Sequence, residues 1–295
     1  MLAAMHKALA LFPIPALALP LITALAVLTL GACAHAPKSD PQLARPAVVA
    51  LQEGRFDEAS EQARTAITKD ANNGWVRAVL AVTRYKSSGE QALHGVESLI
   101  EGAFRDHPEN LPRLRQTVVD LEAALGRVDE DLAIASREQA FSIELCLACW
   151  QVDWNHNGRL DRRDARLFQI EVDGNGESIP DEDPRRKPTF RFDVGDLHWA
   201  RAMVAFQRGL LDLLLVYWSP TLNPQQIKTG VFTLKAHDRP RSVAAKQRFL
   251  DALDQSEAAR TAYLAETDDD REWVPSPRQK NHPMPLPVDE KLYQT

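Results

Sequence analysis

Apolar residues recur three and four positions apart along most of the chain after residue 42. This period is expected for amphipathic helices that pack one side against a core. The pattern predicts two helices within 43–66 joined by a turn at Glu53-Gly54, and further helices over 75–85, 91–104, 112–125, 129–152, 195–218 and 242–266. Gly126 interrupts the pattern, and strand-like alternation is weak and confined to 228–235. We therefore expect an all-α fold.

The segment from Gly195 to Trp218 is the most apolar of these predicted helices. Its apolar run is divided by four charged residues, Asp196, Arg201, Arg208 and Asp212. A helix that crosses a bilayer rarely has four charged residues within its apolar run. We therefore expect this helix to be the central helix of the core.

The first thirty residues differ, because Lys7 is their only charged residue in a long run rich in Ala and Leu. A basic start, an apolar middle and a small-residue end are typical of a secretory signal peptide. The run ends in Leu30-Gly31-Ala32-Cys33, which resembles the lipobox of bacterial lipoproteins. The resemblance implies that residues 1–32 are removed and that Cys33 is lipidated. A plain signal peptide and a retained N-terminal anchor are the alternatives.

Ala34 stands where an Asp would retain such a lipoprotein in the inner membrane. The resemblance therefore implies an outer-membrane protein, anchored by lipid, whose body faces the periplasm. Residues 33–46 are polar and proline-containing, so we expect a tether there. The tail, residues 271–295, has five prolines within thirteen positions and cannot be helical there. It either wraps the body in an extended conformation or is disordered.

The second predicted helix follows Gly54-Arg55-Phe56 and has Ala59, Ala63 and Ala66 at helical spacing. A glycine before an aromatic residue, followed by small residues that let two helices approach closely, resembles the second helix of a tetratricopeptide repeat. Ala71 departs from the family, which usually has Pro there. The resemblance implies helical hairpins over 47–145 that present a concave face to a protein partner. A generic bundle of helical hairpins is the alternative.

A run of oxygen-bearing residues over 153–164 carries the clearest chemistry in the sequence. With Gly158 at the sixth position and Leu160 as an apolar anchor, these twelve residues resemble an EF-hand calcium loop. The resemblance implies Ca²⁺ bound by Asp153, Asn155, Asn157, Arg159 (through its backbone carbonyl), Asp161 and Asp164. It also implies a helix–loop–helix within 146–193, with an entering helix over 141–150 and a leaving helix over 163–170.

Two features qualify this calcium site. The loop closes with Asp164 where the family has the longer Glu, so we expect weak to moderate affinity. A second acidic run lies over 171–183, and it is either a second ion site or a solvated acidic loop.

Cys146 and Cys149 are the two cysteines left after Cys33. A zinc site needs a second pair of ligands, and a thioredoxin-like redox site needs a βαβ context, neither of which the sequence supplies. In an oxidising periplasm we therefore expect a local disulfide bond between them.

The net charge of −6 and the lack of a stripe dense in Lys and Arg exclude a dedicated nucleic-acid binder. The sequence has no nucleophile-elbow or phosphate-loop motif, and we predict no catalytic residue. We expect a calcium-binding lipoprotein that binds or scaffolds a protein partner, with a C-terminal helical region over 194–270. The alternative is a wall-modifying hydrolase with a structural EF-hand, whose candidate carboxylates are Glu144, Asp196 and Asp212.

Overall fold

Six α-helices and one two-stranded antiparallel sheet are present in the part of the chain that the structure describes. The structure is a computed structural model, and it describes residues 39–104, 110–153, 159–161, 164, 168–173, 175–218, 235–267, 271–272 and 274–279. The helices are α1 (Pro41–Gln52), α2 (Phe56–Ile67), α3 (Gly74–Phe104), α4 (Asn110–Ala135), α5 (Val194–Val216) and α6 (Arg239–Ala265). The strands are β1 (Ser142–Leu145) and β2 (Phe190–Asp193), and short 3₁₀ helices lie at Leu147–Cys149 and Pro184–Arg186. The chain is therefore mostly helical, as predicted.

Helices α1 and α2 form the hairpin that the sequence predicts. Asp40 caps α1, since its Oδ1 accepts a hydrogen bond from the backbone N–H of Gln42 at 2.9 Å. The turn between the helices places Gly54 at a φ of 72°, a conformation that favours glycine. The facing sides are lined by small buried residues, which are Ala44, Ala47, Ala50, Ala59, Ala63 and Ala66. Small side chains allow the close approach of the two helices.

Two predicted interruptions of the next helices are wrong. The segments over 75–85 and 91–104 belong to the single helix α3, and α4 continues through Gly126 to Ala135. A Cβ on Gly126 would lie 3.2 Å from Nη2 of Arg208, so the glycine leaves room for a guanidinium from α5. That guanidinium donates to Oε1 of Glu122 on α4 at 2.7 Å. The glycine therefore serves a contact between helices, and it does not end one.

The predicted helix over 129–152 is also wrong beyond Ala135. Residues 142–145 form β1, which pairs with β2 from Ser142 opposite Asp193 to Leu145 opposite Phe190. Phe141, Ile143 and Leu145 alternate with exposed positions and are buried. This alternation has the two-residue period of a half-buried strand, so the segment packs one face on the core.

Helices α5 and α6 pair along their length, and both lie within about three residues of their predicted limits. The close contact between these helices depends on two glycines of α5. A Cβ on Gly195 would lie 2.9 Å from the ring of Tyr263, and a Cβ on Gly209 would lie 2.8 Å from the ring of Phe249. Helix α5, expected to be the central helix of the core, contributes Leu197 and Val204 to it but buries only one of its sides. Its opposite side is 39–48% exposed at Trp199, Met203, Phe206, Leu210, Leu213, Leu214 and Tyr217.

Candidate functional site

The structure describes four of the predicted calcium ligands, which are Asp153, Arg159, Asp161 and Asp164. Asn155, Asn157 and Gly158 lie outside the described residues, as does Cys33 of the predicted lipid anchor. Asp161 and Asp164 are brought together by reciprocal hydrogen bonds. The N–H of Asp161 donates to Oδ2 of Asp164 at 3.0 Å, and the N–H of Asp164 donates to Oδ1 of Asp161 at 3.4 Å. This arrangement is a capping box, the usual way in which a helix start satisfies free N–H groups.

The segment that precedes the loop differs from an EF-hand. The chain reaches Asp153 from β1 and a single 3₁₀ turn, so the entering helix predicted over 141–150 is wrong. Leu160, expected to anchor the loop in the core, is 59% exposed. The helix–loop–helix interpretation therefore fails on its entering side. The pattern of oxygen donors itself remains a prediction.

A disulfide bond and a buried tryptophan fix the chain just before the loop. Cys146 and Cys149 are disulfide-bonded, with their Cα atoms 5.2 Å apart, across the 3₁₀ turn. Trp150 packs edge-on against Phe56 with ring centroids 5.0 Å apart. It also lies over Gly54, where a Cβ would be 3.1 Å from its Cδ1. The segment that leads to Asp153 is therefore anchored to the turn between α1 and α2.

The second acidic run is folded around an arginine. Asp173 forms a tight turn, in which its Oδ1 accepts hydrogen bonds from the N–H groups of Asn175 and Glu177 at 2.9 and 3.0 Å. Arg186 is only 4% exposed and forms ion pairs with Glu171, at 3.3 Å, and with Asp181. A guanidinium thus neutralises acidic groups that a second cation would otherwise bind. These contacts favour the loop interpretation over a second ion at 171–183.

A third group of acids was not identified in the sequence as a possible site. Carboxylate oxygens of Asp193, Glu266 and Glu272 lie within 4.8 Å of one another. Asp193 is the N-cap of α5, Glu266 follows α6, and Glu272 lies in the C-terminal segment beside β2. Asp193 and Glu272 are 4% and 1% exposed. The only signal in the sequence was the density of acidic residues over 266–272.

Burial and neighbouring acidic groups oppose the ionisation of carboxyls in and beside this acidic group. Burial raises the pKa of Glu272 to about 8, and the neighbouring charge of Asp193 adds to the rise. Burial also raises the pKa of Asp196 to about 7, although the hydroxyl of Tyr263 donates to its Oδ1 at 3.0 Å. Arg191 is the described base nearest to Glu272, with its Nη1 3.8 Å from Oε1.

Among the described residues, the N-terminal helices carry a groove and a smaller cleft. A groove of about 730 Å³ runs between α2, α3 and α4, and its charged lining residues are Arg64, Arg84, Asp120 and Arg127. A cleft of about 540 Å³ is lined by Phe56, Lys86 and Glu90, with Asp153 at its edge. The groove is lined mainly by polar and charged side chains. None of the hydrolase candidates Glu144, Asp196 and Asp212 lines either cavity.

Comparisons with family models, curated proteins and solved structures find no match to the chain. Among the helices in the described residues, none is both long and apolar enough to cross a membrane. The inferences below therefore rest on the geometry of the chain itself.

Proposed function

We propose that this protein is a lipid-anchored binding protein of the bacterial outer membrane that holds an acidic segment of a protein partner in the groove between α2, α3 and α4. The observation that carries this proposal is the lining of that groove by Arg64, Arg84 and Arg127. Its volume of about 730 Å³ lies within the usual range of ligand sites.

The three arginines are not equally available to a partner. Arg84 is an ion-pair partner of the buried Asp131, which fixes its position and offsets its charge. Arg64 and Arg127 are exposed and form no ion pair with another described residue. A guanidinium binds carboxylates through two parallel hydrogen bonds, so these two residues suit an acidic side chain. Ser87, Ser88 and Gln91 along the groove can bind the backbone of an extended segment.

The lipid anchor and the calcium ion complete the proposal. Lipidated Cys33 would hold the body at the membrane through the residues that precede α1, since the predicted tether over 33–46 overlaps that helix from Pro41 onwards. Ca²⁺ would be held by Asp153, Asp161 and Asp164 with the other loop oxygens, and would order a polar segment that has few apolar residues of its own. The pattern of oxygen donors over 153–164 and the anchored segment that precedes Asp153 support this part.

The binding proposal is tested with a fluorescent decapeptide that contains four glutamates, added to the full chain in detergent. We expect binding by fluorescence anisotropy, weakened at higher salt. Arg64→Glu combined with Arg127→Glu should lower the affinity more than about tenfold, because charge-assisted hydrogen bonds are replaced by repulsion. Arg113→Glu combined with Arg45→Glu is the matched control, since it makes the same change in net charge at two exposed arginines outside the groove.

The control separates site binding from general attraction. Equal losses in the control and in the groove variant would show that only net charge matters, and the groove would lose its role. Failure of the unchanged protein to bind the peptide at low salt would contradict the proposal directly.

A further inference from the structure

We propose that the carboxylates of Asp193, Glu266 and Glu272 bind one divalent cation of the Ca²⁺ type, and that this ion ties the C-terminal segment, residues 271–272 and 274–279, to the junction of β2 with α5. This site is separate from the loop over 153–164 and does not depend on the groove.

The spacing of the three carboxylates fits a common centre. Their oxygens lie within 4.8 Å of one another. Ca²⁺ binds oxygens at about 2.3–2.6 Å, so two ligands on opposite sides of the ion are up to about 5 Å apart. Mg²⁺ demands near-ideal octahedral geometry and gives up its waters reluctantly, so it is less suited to a site made by three protein carboxylates. An all-oxygen donor set suits a hard cation and does not favour zinc or copper.

Glu272 provides an observation independent of the clustering. The residue is 1% exposed, and its Oε1 is buried with no hydrogen-bond partner. Arg191 approaches Oε1 only to 3.8 Å, which is an ion-pair distance and too long for a hydrogen bond. A buried carboxylate oxygen without a hydrogen bond is unfavourable, because its desolvation is not compensated. A bound cation would supply that compensation.

The surrounding charge also favours a cation. Asp193 and Asp196 lie at the start of α5, and both face the region of Glu272, as Glu266 does. Oδ1 of Asp193 accepts hydrogen bonds from the N–H groups of Gly195 and Asp196 at 2.7 and 3.4 Å. Its Oδ2 accepts none from the described residues and can therefore act as a ligand.

The position of the site explains what the ion would do. Arg191 on β2 donates from its N–H to the carbonyl of Arg271 at 2.6 Å, which places Glu272 against the sheet. Ser276 and Gln279 of the same segment are buried. Since Glu272 belongs to this segment and Asp193 to the body, one ion bound to both would hold the segment in place.

The experiment uses the full chain in detergent and the metal alone. Equilibrium dialysis with radioactive calcium gives the stoichiometry, and hydrogen exchange gives the protection of residues 271–279. Glu272→Gln should remove one equivalent of calcium and the calcium-dependent protection of this segment. At calcium 100 times the Kd, that protection should be about 100-fold. Excess Mg²⁺ should compete poorly.

Two control variants isolate the site. Glu257→Gln changes an exposed glutamate of α6 and should alter neither measurement. Asp153→Asn should remove the loop ion, if one binds, and should leave the protection of 271–279 intact. The inference is overturned if Glu272→Gln keeps the full stoichiometry, or if Asp153→Asn abolishes the protection.

Folding is checked by circular dichroism. If Glu272→Gln does not fold, Glu266→Gln takes its place, since Glu266 is only half-buried. Retention of every calcium equivalent by that variant would equally refute the inference. None of these outcomes affects peptide binding in the groove, so the two proposals fail independently.

Discussion

Asp131 on α4 offers a direct test of how the long helices are held together. Its carboxylate is fully buried and forms ion pairs with Arg77, at 2.7 Å, and with Arg84. Both arginines lie on α3, with side chains 19% and 30% exposed. Asp131→Ala would leave two facing guanidinium groups without their shared counter-charge. The prediction is therefore a loss of stability centred on the contact between α3 and α4.

The size of this loss follows from the burial of the three groups. Breaking a buried ion pair by removing one partner costs about 3–5 kcal/mol. Because the arginines keep part of their hydration, we expect the lower end, about 3 kcal/mol. For a chain of this size that corresponds to a fall in Tm of about 6–12 °C. The loss is a large share of a typical stability of about 5–15 kcal/mol.

Urea unfolding followed by tryptophan fluorescence measures the effect. Asp120→Ala is the control, because Asp120 is an exposed acid of the same helix and bonds only Gln116 among the described residues. That change should stay within about 0.5 kcal/mol. A free energy of unfolding for Asp131→Ala within about 1 kcal/mol of the unchanged protein would refute the assignment of Asp131 as the ionic link between the helices.

Two further predictions concern packing and pH. Gly209→Ala should destabilise the chain by about 1–3 kcal/mol, since the new methyl group would meet Phe249 at 2.8 Å. Gly89→Ala, which meets nothing within 4 Å, should stabilise by about 0.5–1 kcal/mol, and thermal unfolding of both variants checks the difference in sign. In chelator, the urea midpoint should fall as the pH rises from 5 to 8.5. The pKa of Asp196 is raised to about 7 and that of Glu272 to about 8 in the folded chain. Over this pH range the folded chain therefore keeps protons that the unfolded chain has already lost, and stability falls as the pH rises. A midpoint that rose over this range would contradict the burial of these acids.

Local patterns in the sequence were sufficient where the structure depends on near neighbours. The three-and-four spacing of apolar residues located α1, α2, α5 and α6, because a helix brings residues at that spacing to one side. Cys146 and Cys149 are close enough in sequence for their pairing to be predicted without the fold. The oxygen pattern of 153–164 is local in the same sense, and it stays a prediction because Asn155, Asn157 and Gly158 lie outside the described residues.

The errors occurred where contacts distant in sequence determine the structure. Gly126 was predicted to interrupt a helix, but it lies within α4 and makes room for the guanidinium of Arg208 on α5. Ile143 and Leu145 fit either a helix or a short strand, and their pairing with β2 selects the strand.

The acidic group of Asp193, Glu266 and Glu272 could not be found in the sequence either, because three separate segments contribute to it. Burial and charge proximity are properties of the folded arrangement, whereas sequence periodicity reports only the residues that one helix or strand brings together. For this protein, the sequence alone therefore determined most of its helices. Only the tertiary structure decided which charges meet.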